Sequence, residues 1–195
     1  MSKDILPKRK RTRLKNFNYN WVSSYFITIC TNDKKCILGT VTKRYIENDN
    51  EISREQKISV CADVKLSSIG KTVEKYIESS KKAYENVIGI ENYVIMPNHI
   101  HLVIYVCPNN EKESSSNALI PRYVSALKHL VNKECGGNIF QRSYYDHIIR
   151  NDKDFDNISN YIDSNPICWE KDCFYVKAED KTVGDDAHGV PLPYN

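Results

Sequence analysis

Two histidines separated by one residue, His99 and His101, sit inside an apolar run, and Tyr161 and Asn165 sit four residues apart in a later amphipathic segment. In a strand, successive side chains point to opposite faces, so His99 and His101 project together while Ile100 faces the other layer. Spaced about 7 Å along the strand by the rise per residue, two such imidazoles can converge on a divalent cation. A surface or structural pair of histidines has the same spacing, so this pattern alone leaves both uses open. Tyr161 and Asn165, at i and i+4, lie one above the other on a helix. Beside the Ile158/Ile162 stripe, Tyr161 looks toward the body of the protein. Taken singly it reads as a core or boundary tyrosine, and Asn165 as a helix C-terminal residue.

The elements that must bring these pairs together alternate between the two periodicities. Ser24–Thr31 is rich in aromatic and β-branched residues and predicts a strand. Asn48–Lys65 is polar and fits neither period. Leu66, Ile69, Val73, Ile77 and Tyr84 predict a helix over Leu66–Tyr84. Tyr93–Met96 and Ile100–Val106 read as paired strands bent near Pro97. Pro108–Asn117 is a loop by composition. Ile120, Val124, Leu127 and Val131 mark a second helix, with Pro121 in its first turn and Gly136-Gly137 at its end. Ser143–Arg150 is a further strand. Asn151 then caps a helix with Asp154 near its positive end, and Phe155, Ile158 and Ile162 line one face. Pro166 stops that helix, because the residue before proline avoids helical dihedrals. The sum is an α+β, ferredoxin-like βαββαβ sandwich with an antiparallel sheet and an additional C-terminal helix carrying Tyr161.

Composition bounds the class. The chain has 195 residues, 41% hydrophobic and 27% charged, which suits a globular protein with a substantial core. No apolar run approaches a membrane span, and no apolar stretch follows the N-terminal cations, so neither a membrane partner nor a secretory signal is expected. Seven cysteines, Cys30, Cys36, Cys61, Cys107, Cys135, Cys168 and Cys173, are irregularly spaced with no C-x-x-C pair. They read as reduced thiols of a cytoplasmic protein. Net charge is +3, but Lys3, Lys8, Arg9, Lys10, Arg11, Arg13 and Lys15 against Asp4 concentrate +6 in residues 1–16 and leave −3 for the rest. A basic arm (residues 1–18) on a near-neutral body (19–178) suits a polyanion, since each phosphate contact releases counterions. It also suits a solvated tail, as residues 179–195 are expected to be.

Read together, the motifs narrow these alternatives. Tyr93-Val-Ile-Met-Pro-Asn-His-Ile-His-Leu-Val-Ile resembles the histidine segment of single-tyrosine HUH transposases. Arg142-Ser-Tyr-Tyr-Asp-His-Ile-Ile-Arg-Asn-Asp, followed by Tyr161-Ile-Asp-Ser-Asn165-Pro166, resembles the tyrosine-bearing half of the same group, and most of all the REP-associated tyrosine transposases. The likeness runs from about Tyr25 to about Trp169. It implies that His99 and His101 bind Mg²⁺ or Mn²⁺, that Asn165 supplies a further ligand, and that Tyr161 is the nucleophile. It further implies cutting of single-stranded or hairpin DNA through a covalent 5′-phosphotyrosine, then rejoining to a 3′-OH, by a monomer or by a homodimer that shares the tyrosine helix. Tyrosine suits this task because phenolate is a better leaving group than an alkoxide, but an unperturbed pKa of about 10 requires activation.

Around this centre, His147 is a candidate base or a buried or DNA-contacting histidine, with Asp146 placed to orient it. Tyr144 and Tyr145 are candidates for stacking on bases, one of the pair being core by strand alternation. Arg122, Lys128 and Arg150 are candidates for phosphate contact, as are the arm residues Lys8, Arg9, Lys10, Arg11 and Arg13. Three other readings compete: a domesticated hairpin-binding protein without transposition, an RNA-binding module, and a structural metal site without catalysis.

Overall fold

The computed structural model describes residues 24–47, 58–107 and 119–176. The basic arm with Lys8, Arg9, Lys10, Arg11 and Arg13, the loop 108–117 and the tail 179–195 lie outside them.

Six strands and three helices follow one another: β1 (Ser24–Cys30), β2 (Gly39–Glu47), β3 (Ile58–Leu66), α1 (Ser68–Ala83), β4 (Ile88–Ile95), β5 (His99–Val106), α2 (Leu119–Cys135), β6 (Tyr145–Ile149) and α3 (Asp152–Ser164). Four strands form an antiparallel sheet in the order β4-β5-β1-β6. The expected α+β sandwich is therefore present, with the tyrosine helix added after β6. Among the described residues no helix is long and apolar enough to cross a membrane.

β1 and β5 occupy the middle of this sheet, which explains their near-continuous apolar sequences. Both of their faces are covered. One face, through Tyr25, Ile27, Ile29, Ile100, Leu102 and Ile104, packs against Val73 and Ile77 of α1 and Tyr123, Val124, Leu127 and Val131 of α2. Each such aliphatic side chain contributes about 1.5–3 kcal/mol on burial. The opposite face carries Phe26 and Val103 and is covered by Ile158 and Ile162 of α3. Helices thus lie on both sides: two complete the sandwich, and the third brings Tyr161.

Several boundaries differ from the sequence reading, each for a local reason. The unplaced segment Asn48–Lys65 contains most of β3, which pairs with β2 in a separate two-stranded sheet. The β3 sequence does alternate, Ile58, Val60, Ala62, Val64 and Leu66 against Ser59, Cys61, Asp63 and Lys65, a strand signal that the polar composition of the whole segment obscured. Leu66 ends β3 and does not start α1. Ser67 caps α1 by accepting from the Gly70 amide at 3.1 Å and donates from its hydroxyl to the Ile37 carbonyl at 2.6 Å. The first turn of α1 lies so close to the Leu38 carbonyl that a Cβ on Gly70 would overlap it. β4 begins at Ile88, earlier than Tyr93, and accommodates a bulge between Ile90 and Asn92. β5 begins at His99 itself, and β6 is shorter than Ser143–Arg150. α2 stops at Gly136, whose φ of 69° is the left-handed conformation that glycine adopts without strain. α3 starts as expected, with the Asn151 side chain accepting from the Asp154 amide at 2.9 Å.

Candidate active site

The site forms on the α3 side of the sheet, where β5 emerges from its turn. Met96 N–H donates to the His99 carbonyl at 2.8 Å, so Pro97 and Asn98 make a tight connection that delivers His99 at the start of the strand. His99 and His101 are both fully buried, their ring centroids 4.5 Å apart, while Ile100 faces the α1/α2 core. Convergence of the rings brings them closer than the strand spacing.

Each imidazole is held by its Nδ1. Asn98 Nδ2 donates to the carbonyls of Phe174 (2.8 Å) and Lys34 (3.1 Å). Carbonyls only accept, so Asn98 must turn its Oδ1 toward His99 Nδ1, 2.9 Å away. His99 therefore carries its proton on Nδ1 and a lone pair on Nε2. His101 Nδ1 lies 2.9 Å from the Thr28 hydroxyl. Both Nε2 atoms are buried without a hydrogen-bond partner. Orphaned buried polar atoms are rare, and histidines that bind cations are typically fixed through the other ring nitrogen in this way. Burial pushes the His99 pKa down to about 3 and holds His101 well below its usual range, with His99 adding to the effect. Both rings are neutral at ordinary pH.

α3 presents Tyr161 to this pair. The Tyr161 ring lies 5.3 Å from that of His101 and 6.2 Å from Phe26, centroid to centroid. Asn165 follows one turn later and is buried, its Oδ1 also without a partner. One chain thus supplies both histidines, the phenol and the amide. After Pro166 a short 3₁₀ turn at Trp169–Lys171 leads to Asp172, a residue absent from both sequence motifs. Its Oδ2 accepts from Tyr161 Oη at 3.0 Å and from Asn165 Nδ2 at 2.9 Å, while its Oδ1 accepts from the Phe174 amide at 2.7 Å. Burial, and then the Asp172 charge, raise the Tyr161 pKa, so the phenol is protonated here. His99, His101 and Asp172 each offer a ligand atom, all within 4.8 Å of one another. Phe174 and Trp169 close over His99, with ring centroids 4.5 and 5.9 Å away.

This donor set suits a divalent cation: two neutral imidazole nitrogens, an unpartnered amide oxygen and a carboxylate, in a site walled by aromatic rings. The arrangement sets donors of the kind a cation takes beside a phenol.

Comparison with known proteins gives the family. Residues 61–165 match the family described as Transposase IS200 like, a span that includes both histidines, Tyr161 and Asn165. The chain belongs to the IS200-like transposase family. An uncharacterized protein of Haemophilus influenzae is 28% identical over 187 residues, covering 86% of this chain and 93% of the relative. Among solved structures, a REP-associated tyrosine transposase bound to a REP hairpin aligns with a TM-score of 0.50 at 17% identity, covering 96% of this chain and 100% of its own. That likeness is one of fold.

The outer residues are placed less uniformly. His147 Nε2 lies 3.0 Å from Asp154 Oδ2, so the carboxylate that meets it is Asp154, in the first turn of α3. Lys128 and Tyr144, expected at a nucleic-acid surface, are turned to internal work. Lys128 Nζ donates to the carbonyls of Gln141 and Ser143, both at 2.8 Å, and lies 5.8 Å from the centre of the Tyr144 ring, which packs on the α1/α2 core. Desolvation lowers the Lys128 pKa to about 8. Tyr145, opposite Thr28 in the register, is the member of the tyrosine pair on the histidine side. Arg150 and Arg122 are exposed.

The sequence reading missed three residues that shape the site. Thr28 was detectable as a polar position in the middle of β1, facing away from Ile27 and Ile29. Asn98 sat beside His99 but read as turn chemistry. Asp172 had no periodic or motif signal at all.

Proposed function

We propose that the protein is a divalent-cation-dependent single-strand DNA nuclease and strand transferase with Tyr161 as nucleophile. The observation that carries this reading is the meeting of the Tyr161 phenol with two orphaned imidazole nitrogens and an orphaned amide oxygen on one buried face. His99 and His101, through Nε2, and Asn165, through Oδ1, would hold Mg²⁺ or Mn²⁺. The cation, when bound, supplies charge stabilisation to the phosphate being transferred.

The remaining chemistry belongs to the chain. Tyr161 Oη attacks the phosphorus of the scissile phosphodiester. The bond to the 3′-oxygen breaks, leaving a 5′-phosphotyrosine and a free 3′-OH, and the phenolic proton goes in net terms to the departing oxygen. Attack by another 3′-OH reverses the step: the new phosphodiester forms, the Tyr161–phosphate bond breaks, and the phenol regains a proton. One diester replaces another through the covalent intermediate, so joining needs no nucleotide triphosphate. Phe26 and the His101 ring fix the plane of the phenol, and Trp169 and Phe174 keep water from the histidines. The substrate proposed is single-stranded or hairpin DNA; the REP-associated transposase of like fold is bound to a REP hairpin. Tyr145 and Arg150, together with the basic arm, are the proposed contacts to it.

The test is a covalent adduct. Labelled single-stranded hairpin DNA incubated with protein and Mn²⁺ should yield a slowly migrating band on a denaturing gel, abolished by chelation. A band that persisted in Tyr161→Phe would remove the assignment.

A further inference from the structure

We propose that Asp172 is a ligand of the divalent cation and that its Oδ2 exchanges between the cation and the Tyr161–Asn165 pair. The inference rests on the cation-binding reading above and adds a ligand that neither sequence motif contains.

Its basis is the division of labour within one carboxylate. Oδ1 is committed to the loop through the Phe174 amide at 2.7 Å. That anchor is itself fixed, because the Phe174 carbonyl receives Asn98 Nδ2 at 2.8 Å, and Asn98 also holds His99. One asparagine therefore sets the position of both the first histidine and the carboxylate. Oδ2 is the oxygen that faces the site, where its partners are the Tyr161 hydroxyl and the Asn165 amide. The same amide leaves its own Oδ1 buried and unpartnered, as the two Nε2 atoms are. A ligand atom each from His99, His101 and Asp172 already lies within 4.8 Å of the others, a separation that small side-chain rotations close to coordination distance.

The chemistry favours exchange over coexistence. Two imidazoles and an amide form a neutral set, which binds a hard dication weakly; a carboxylate is the ligand such cations prefer. A dication at this position attracts Oδ2 far more strongly than a neutral phenol or amide hydrogen does. When Asp172 turns to the cation, Tyr161 Oη loses its acceptor and the nucleophile is released. The resting contact and the loaded contact are alternatives for a single oxygen, so removing one should strengthen the other.

Mn²⁺ binding to the full chain, without DNA, tests this by calorimetry or by the loss of free-Mn²⁺ electron paramagnetic resonance signal. Asp172→Asn should weaken binding by about 10–100-fold, on the scale of losing a supporting group at a metal site, and Asp172→Glu should recover part of it. Tyr161→Phe should bind Mn²⁺ about 2–10-fold more tightly, the worth of one competing hydrogen bond. A merely structural aspartate gives no reason for that gain. Thermal melts of the cation-free variants show that each is folded. Wild-type affinity in folded Asp172→Asn overturns the ligand assignment while leaving the histidine site standing. Unchanged affinity in Tyr161→Phe overturns the exchange. Absence of Mn²⁺ binding in wild type, equal to that of a His99→Ala, His101→Ala double variant, overturns the cation reading and this inference together.

Discussion

The two faces of the central sheet are built from the same strands and have opposite characters. On the α1/α2 side, β1 and β5 contribute Tyr25, Ile27, Ile29, Ile100, Leu102 and Ile104 to a dense apolar layer. On the α3 side, one residue out of phase, they contribute Phe26, Thr28, His99, His101 and Val103, with three polar atoms left unpartnered around Tyr161. A strand's period of two is thus enough to place structure and chemistry back to back. The first face stabilises the fold by burial. The second holds neutral imidazoles out of water at a cost of about 1–3 kcal/mol for each unmade hydrogen bond, which a bound cation would offset.

The largest separation between the faces should come from Tyr161→Phe. Adduct formation should fall by more than about 10³-fold, the scale on which deleting a nucleophile acts, while the melting curve barely moves. The reverse dissociation should follow from Ile104→Ala on the other side. Loss of that fully buried side chain should reduce stability by about 2–5 kcal/mol in urea titration, yet the folded fraction should keep its Mn²⁺ affinity. Equal loss of both properties in either variant would show that the faces are not independent.

Mild acid should act chiefly through the two histidines of the α3 face. Burial depresses the pKa of His99 to about 3, and that of His101 as well, whereas the unfolded chain protonates its histidines near 6.5. Below 6.5 the unfolded state binds more protons, so stability should fall with pH, by at most about 1.4 kcal/mol per unit for each histidine. Cation-free wild type should lose this stability steadily as pH falls from 6.5 toward 3, and over pH 6.5 to 4.5 the double variant His99→Gln, His101→Gln should show a shallower slope. Identical slopes would mean that other groups dominate.

Smaller again is the effect of the supporting residue. Asn98→Ala removes the acceptor that fixes the His99 tautomer and the donor to Phe174, so Mn²⁺ affinity should drop by about 10–100-fold with adduct formation following it. Thr28→Val, acting on His101 only, should do less.

The two faces also differ in how legible they were. Spacing, two for β5 and about four for α3, placed His99 with His101 and Tyr161 with Asn165 on shared faces but left their use open; the resemblance of the two motifs to single-tyrosine transposases singled them out. The four-stranded sheet and all three helices were readable from periodicity. β2 and β3 were not: β2 mixes Thr40, Thr42, Lys43 and Arg44 among its apolar residues, and the alternation of β3, Ile58, Val60, Ala62, Val64 and Leu66, was passed over inside a segment that is polar overall. Asp172 lay beyond any period: it reaches the site through a 3₁₀ turn after Pro166, and only the tertiary anchor from Asn98 to Phe174 brings it there. Loop residues held by long-range backbone contacts leave no local trace.

The least of these effects concerns where DNA is held, and it separates two cations that looked alike in sequence. Lys128 donates to the Gln141 and Ser143 carbonyls and is partly desolvated, so its charge stabilises the approach to β6. Arg150 is exposed at the far end of that strand, next to the start of α3. Each phosphate contact to single-stranded DNA contributes about 0.7 to the slope of log affinity against log salt. Arg150→Ala should lower that slope by about this amount with little change in stability. Lys128→Met should leave the slope unchanged and reduce stability by about 1 kcal/mol, since its hydrogen bonds to two carbonyls are lost while the aliphatic stem remains. If the slope instead fell in Lys128→Met, the ammonium must leave its carbonyls to meet a phosphate. The α2 end of the molecule would then belong to the DNA surface, and the boundary between the two faces would have to be redrawn.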